Sequence, residues 1–285
     1  MRLIDQSTSL FAVIGHPVAH SHSPRLFNTI FFEKKVNAVY LAFDHIDVKP
    51  LVQSMRDLSI GGYSVTIPHK EKAYSLVDEV DDLAKMTGAI NTIVQRKKKL
   101  YGYNYDGVAA IEALKNNVED WQERPVFFLG AGGAARGIAI AMALKFSYKK
   151  KIVFAVRTPQ KAKSLADDLK KLSCDVEVVT LQSIDKKKWN REIIINTTPV
   201  GMKNQEEKTI IDCAGFCRET VAYEIIYNPL ETPFLKQAKK FGAQTVNGLG
   251  MFLAQARLQL LSFVSLDLSQ KEMIDFYNKS QLKKM

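Results

Sequence analysis

Little in this sequence could hold a fold together covalently. Its 285 residues include only three cysteines, Cys174, Cys213 and Cys217. Three thiols cannot all pair, and one Cys-x3-Cys spacing without further ligands is not a zinc pattern. Plain reduced thiols are expected, as in a cytoplasmic protein. Long apolar runs are missing too. The longest near the middle, Gly137–Leu144, is bracketed by Arg136 and Lys145 and is far too short to cross a bilayer. The opening stretch, MRLIDQSTSLFAVIGHP, has an acid at Asp5 and no small-residue cleavage site, so no secretory signal is expected. Acidic residues are in deficit, 30 against 40 Lys and Arg, which leaves a net charge of +10.

Much of that excess sits in three lysine runs, 97–99, 149–151 and 186–188, which read as solvated turns. No aromatic residues interleave with them as a nucleic-acid stacking surface needs. A general attraction for anionic small molecules is the simpler consequence. What is present is ordinary globular composition, 46% hydrophobic and 25% charged, on a chain long enough for two domains.

Strand-like and helix-like stretches alternate. LFAVIGHP reads as a buried strand, and SPRLFNTIFFEKK as a helix with Ser23 at its N-cap and Pro24 at its first position. AVYLAFDH and GGYSVTIP are further strands, and a helix is expected from Pro68. AINTIVQ and KLYGYNYDG flank the basic turn RKKK as in a hairpin, before a helix over 106–117. From residue 125 the order is strand, helix, strand, helix, strand, then the strands EIIINT and VAYEII and the helix TPFLKQAKKFG. Such alternation predicts an α/β protein with parallel sheets covered by helices on both faces. The last two helices have no strand between them and do not extend the nucleotide unit. The expected organisation is therefore an N-terminal α/β substrate domain, 1–105 plus 248–285, interrupted by a Rossmann-type nucleotide domain, 106–247.

VFFLGAGGAARG is a strand, a glycine turn and a helix start. Gly130 makes the tight turn, Gly132 admits a pyrophosphate to the backbone, and Ala135 takes the helix-packing position. With Ala131, Gly133 and Ala134 they form a turn whose helix N-terminus offers unpaired N–H groups to phosphate. The next strand ends in FAVRTPQK, where a carboxylate for a ribose 2′-hydroxyl would stand in an NAD site. Arg157, Thr158 and Lys161 suit a 2′-phosphate instead, so NADP is the expected cofactor.

The front half holds three polar clusters. In GHPVAHSHSP, Ser21 and Ser23 alternate and would aim two hydroxyls at one ligand, while His16, His20 and His22 lack an accompanying acid and no metal site is expected. In SVTIPHK, Lys70 opens a helix, where its charge opposes the dipole. GAINT and GYNYDG contribute Asn91 and Asp106. A lysine, a carboxylate, an amide and hydroxyls suit a small polyhydroxy acid.

Together these motifs resemble the shikimate dehydrogenase family over essentially the whole chain. The likeness runs through Ser21, Ser23 and Pro24, the VTxPxK residues Val65, Thr66, Pro68 and Lys70, Thr92, and Gly102, Asn104, Asp106 and Gly107. It continues through GAGGAAR, NTTPVGM, YNPLETPFL and NGLGMFLAQA. The resemblance implies NADPH-dependent, reversible reduction of 3-dehydroshikimate to shikimate, a step of chorismate and aromatic amino-acid biosynthesis. By the same resemblance Ser21 and Ser23 hold the substrate carboxylate, with Tyr227 near it, while Thr66, Asn91, Asp106 and Gln255 bond ring hydroxyls. Lys70 and Asp106 form the catalytic pair. Thr197, Thr198, Pro199, Gly248 and Met251 border the nicotinamide. Phe27, Ser64, Tyr105 and Val156 depart from residues common in the family. Ser23, rather than a bulkier threonine, favours shikimate over quinate. A quinate/shikimate dehydrogenase and a non-catalytic NADP-responsive paralogue are the rival readings. The expected form is a cytoplasmic monomer or homodimer with no membrane or nucleic-acid partner.

Overall fold

The computed structural model describes residues 4–184, 187–202 and 209–282. The chain separates into two compact units, 1–105 with 255–285, and 106–254. In the first, the order is β1 (Ser9–Gly15), α1 (Ser23–Glu33), β2 (Ala38–Asp44), α2 (Val48–Leu58), β3 (Gly62–Val65), α3 (Lys70–Tyr74), β4 (Glu79–Val80), α4 (Asp82–Thr87), β5 (Thr92–Arg96) and β6 (Lys99–Tyr103). The strands form one sheet in the order β2-β1-β3-β5-β6-β4. β1 runs parallel to β2 and β3, but β5 is antiparallel to both β3 and β6. The hairpin expected around RKKK is present, with a two-residue turn joining β5 to β6, while the antiparallel pairing of β5 with β3 departs from the parallel sheet expected. Arg96 pairs with Lys99, and Lys97 and Lys98 take φ values of 48° and 68°. Two positive φ values in succession match the right-handed twist of a tight hairpin.

α2 has no counterpart in the sequence reading. Its signals are local: the Asp47 side chain caps it by accepting from Lys49 N at 3.2 Å. Val48, Val52 and Met55 then fall on one face, and all three are buried in the same core as Ile14, Tyr63, Ile93 and Leu100.

The second unit holds α5 (Asp106–Lys115), β7 (Val126–Leu129), α6 (Gly133–Phe146), β8 (Ile152–Val156), α7 (Lys163–Lys171), β9 (Val176–Thr180), α8 (Leu181–Ile184), β10 (Ile193–Asn196), β11 (Val221–Glu224), α9 (Pro233–Lys240) and β12 (Gln244–Val246). Its sheet is parallel throughout, in the order β12-β11-β10-β7-β8-β9. β8, β10 and β11 are buried at every position, which accounts for their continuous apolar sequences. β12 is a three-residue edge strand that the pattern reading does not resolve.

α10 (Leu249–Val264) and α11 (Gln270–Leu282) complete the chain. The unit boundary lies within α10, later than the expected 248. The reason is packing: a Cβ on Gly250 would sit 3.0 Å from Ala113 of α5, and Phe252 stacks on Tyr227 at 4.8 Å. Of the lysine runs, Lys99, Lys150 and Lys151 make exposed ion pairs with Glu79, Glu123 and Glu177. Lys186 lies outside the described residues. Lys187 is no solvated turn residue. It bonds Glu192 at 2.9 Å and lies 5.0 Å over the Trp189 ring.

Candidate active site

In the first unit, α1 opens at Ser23 and its N-cap is His22, which makes no side-chain cap. Ser23 is therefore not the capping residue expected from its place before Pro24. Its backbone N–H donates to Ser21 Oγ at 3.3 Å, and its side chain is buried. Thr66 follows β3, its N–H bonded to Ile14 O at 2.9 Å. Its methyl lies 2.4 Å from where a Cβ on Gly15 would stand, so the β1 tip must be glycine. Lys70 is the first residue of α3, after a buried His69 whose Nε2 meets His45 O at 2.8 Å.

Backbone hydrogen bonds gather these positions. Ile90 N–H donates to Lys70 O at 3.0 Å, and Val65 N–H to Asn91 O at 2.8 Å. Buried Asn91 accepts at Oδ1 from Tyr105 N–H, 3.0 Å, and from Thr92 Oγ1, 2.9 Å. An N–H donor on Oδ1 fixes the amide's orientation. The same contact holds the backbone one residue before Asp106. Asp106 itself opens α5 as the first residue of the second unit. Gln255 is the first residue of the C-terminal piece of the first unit.

The histidines face separate partners. His16 Nδ1 lies 2.6 Å from Asp44 Oδ1, a bond that holds this carboxyl below its ordinary range, and His22 Nδ1 lies 3.0 Å from Tyr277 Oη. Among the described residues no group of three His, Cys, Asp or Glu could hold a metal. No described helix is long and apolar enough to cross a membrane.

In the second unit the glycine turn lies where the strand order reverses, between β7 and β10. Gly130 has a φ of +100°, and a Cβ there would stand 2.9 Å from the Thr198 methyl. Gly132 and Gly133 have no atom within 4 Å of a hypothetical Cβ, which leaves an open cradle at the α6 N-terminus. Ala131 and Ala134 are part-buried beside it, and Ala135 packs fully inside. The loop after β10 runs alongside. Thr197 Oγ1 donates to Leu129 O at 2.8 Å, and Asn196 Oδ1 accepts from both N and Oγ1 of Thr198. Pro199 O closes that loop by accepting from Met202 N. Arg157, Thr158 and Lys161 are exposed just after β8, with no carboxylate among them.

Gly248 is packed against the chain after β11. A Cβ there would lie 2.3 Å from Ile225 O. Met251 is part-buried in the first turns of α10, and Tyr227 is part-buried on the Phe252 ring.

One buried acid was not anticipated. Glu224, at the end of β11, accepts from Asn196 Nδ2 at 2.9 Å, Thr232 Oγ1 at 3.1 Å and Ile226 N at 3.2 Å. Burial pushes its carboxyl up to about 7, against the pull of those three donors. Its signal was a charged residue closing an otherwise apolar strand, VAYE.

With both units described, likeness to known proteins can be placed on them. Residues 13–93 match the family described as the shikimate dehydrogenase substrate binding domain. The shikimate dehydrogenase (NADP(+)) of Methanocaldococcus jannaschii is 39% identical over 258 residues, 89% of this chain and 90% of that one. The chain belongs to the shikimate dehydrogenase family. A crystal structure of a shikimate dehydrogenase in complex with NADP+ aligns with a TM-score of 0.86 at 35% identity, over 97% of each chain. The shikimate 5-dehydrogenase of Listeria monocytogenes, in complex with shikimate and NAD, aligns with a TM-score of 0.87 at 28% identity, over 96% of this chain and 98% of that one. The two-unit α/β architecture with a Rossmann-type sheet is thus the shikimate dehydrogenase fold.

Proposed function

We propose that this chain is an NADP-dependent shikimate dehydrogenase that interconverts 3-dehydroshikimate and shikimate in the cytoplasm, as a monomer or homodimer without nucleic-acid or membrane partners. The observation that carries the reading is the match, over 89% of the chain, to relatives named shikimate dehydrogenase (NADP(+)). The cofactor fits what this chain offers. The open glycine cradle at a helix N-terminus suits a pyrophosphate, and Arg157, Thr158 and Lys161 suit a 2′-phosphate rather than a bare ribose. When bound, NADPH supplies the hydride.

The remaining work belongs to side chains. Ser21 and Ser23 hold the substrate carboxylate, with Tyr227 on the same side. Thr66, Asn91, Asp106 and Gln255 bond the ring hydroxyls. Lys70 gives a proton to the C3 oxygen as hydride reaches C3, and takes it back in the reverse direction. Asp106 pairs with it at the same oxygen. Gly130, Ala131, Gly132, Gly133, Ala134 and Ala135 cradle the cofactor phosphates. Thr197, Thr198, Pro199, Gly248 and Met251 border the nicotinamide, the threonines through backbone groups, since their hydroxyls serve the loop.

The test is NADPH formation followed by absorbance, with shikimate and quinate each offered NADP+ and NAD+. Shikimate with NADP+ should give the highest kcat/KM. Preference for quinate would move the chain to the quinate/shikimate class. No turnover with any pair would leave a cofactor-binding paralogue.

A further inference from the structure

A continuous run of buried side-chain hydrogen bonds threads the first unit behind the candidate substrate residues. Gln259 Nε2 donates to Asn91 O at 3.3 Å and Thr92 Oγ1 at 3.1 Å. Asn91 O is an acceptor only, which fixes the orientation of the Gln259 amide and leaves Oε1 to accept. Ser64 Oγ donates to that Oε1 at 2.8 Å, and the Tyr40 phenol donates to Ser64 Oγ at 2.6 Å. Tyr40, Thr92 and Gln259 are at most 1% exposed, and Ser23, Ser64 and Asn91 at most 6%.

The protons can run only one way. Gln259 Oε1 has none to give, so Ser64 must donate to it and Tyr40 must donate to Ser64. At the other end, Gln259 grips the segment whose Asn91 Oδ1 holds the backbone before Asp106. Gln259 also lies one helical turn after Gln255, on the same face of α10.

We propose that Gln259, Ser64 and Tyr40 are positioning residues that jointly set the orientation of Asn91 for the substrate acid. The proposal rests on the shikimate dehydrogenase reading. In this chain Gln259 supplies the amide that the Ser64 hydroxyl meets.

Steady-state kinetics on Gln259→Met, Tyr40→Phe and the core variant Val52→Ala decide it. Gln259→Met should raise KM for shikimate about tenfold, with kcat and KM for NADP+ held within about twofold. Tyr40→Phe, which deletes one oxygen and keeps the ring, should shift KM the same way by a smaller factor. Val52→Ala should lower the unfolding temperature and leave KM for shikimate unchanged, which separates orientation from general loosening. The proposal is overturned if neither relay variant moves KM for shikimate, or if Val52→Ala moves it as far. If Gln259→Met does not fold, Tyr40→Phe decides alone. Wild-type protein inactive on shikimate with NADP+ would instead overturn the underlying reading, and this proposal with it.

Discussion

The two units put polar atoms inside their sheets in opposite ways. The first threads a relay of hydroxyls and amides whose donors and acceptors match from Tyr40 to Asn91. The second buries an ionisable acid, Glu224, and surrounds it with donors. A neutral relay keeps its geometry at any pH where the fold exists. A buried carboxyl ties stability to protonation. The relay behind Asn91 thus contains no carboxyl, whereas the group that braces the loop after β10 is one.

The sharpest way to break the comparison is to remove the charge at the start of α3 in the first unit. Lys70→Ala should lower kcat by a factor on the order of 10²–10⁴, the range general acid–base groups contribute, with KM for shikimate little changed. Steady-state rates on shikimate with NADP+ measure both. Near-wild-type kcat would remove Lys70 from the chemistry and leave its place at the start of α3 unexplained.

Next in size is the acid. Glu224 is held near 7 in the fold and returns to an ordinary value of 4.5 when the chain unfolds. A carboxyl raised in the folded state stabilises below pH 4.5, and that contribution is lost as pH rises through about 7. From those two values it is worth about 3 kcal/mol at its upper bound. Glu224→Gln cannot titrate, and its offset from lost acceptor geometry is constant with pH. The free energy of unfolding of wild type minus that of Glu224→Gln should therefore fall between pH 4.5 and 8. Denaturant titrations across that window measure the slope. A flat difference would mean that the three donors keep the carboxylate ionised throughout.

Parts of this contrast were legible in the sequence and parts were not, for physical reasons. The glycine turn, its flanking strand and helix, and Arg157 after β8 follow from local rules, because strand, turn and helix N-terminus are all set by neighbours in the chain. Strand direction is not local. AINTIVQ has the same alternation whether it pairs parallel or antiparallel, so the reversal at β5 was invisible despite the hairpin turn beside it. The relay was hidden for a stronger reason: Tyr40, Ser64 and Gln259 belong to three separate elements and Asn91 to the loop before β5, and each alone reads as an unremarkable polar residue. Ser64 drew notice only as a departure from the family. Phe27, another departure, is fully buried and stacks on Tyr40 at 4.3 Å, so it packs behind the relay. Tyr105 spends its hydroxyl on Ser262 at 2.6 Å and stacks on Tyr103. Gly248 marks a close approach without saying to what, and within the fold one such neighbour is Ile225.

The smallest effect belongs to the rim of the second unit, and it sharpens the comparison by testing charge in water instead of charge in the core. Arg157 is exposed, so its guanidinium loses little by facing solvent and gains only when a phosphate arrives. Arg157→Ala should raise KM for NADP+ by about tenfold to a hundredfold, the worth of one or two hydrogen bonds to a charged group. KM for NAD+ should hardly move, since that cofactor has no 2′-phosphate to lose. KM for shikimate should not move at all. Added salt should shrink the wild-type advantage for NADP+, because a charge pair at the surface is screened over about 8–10 Å at ordinary ionic strength. Equal losses for both cofactors would assign Arg157 to the adenosine or the loop. The 2′-phosphate would then fall to Thr158 and Lys161, the two other donors that follow β8.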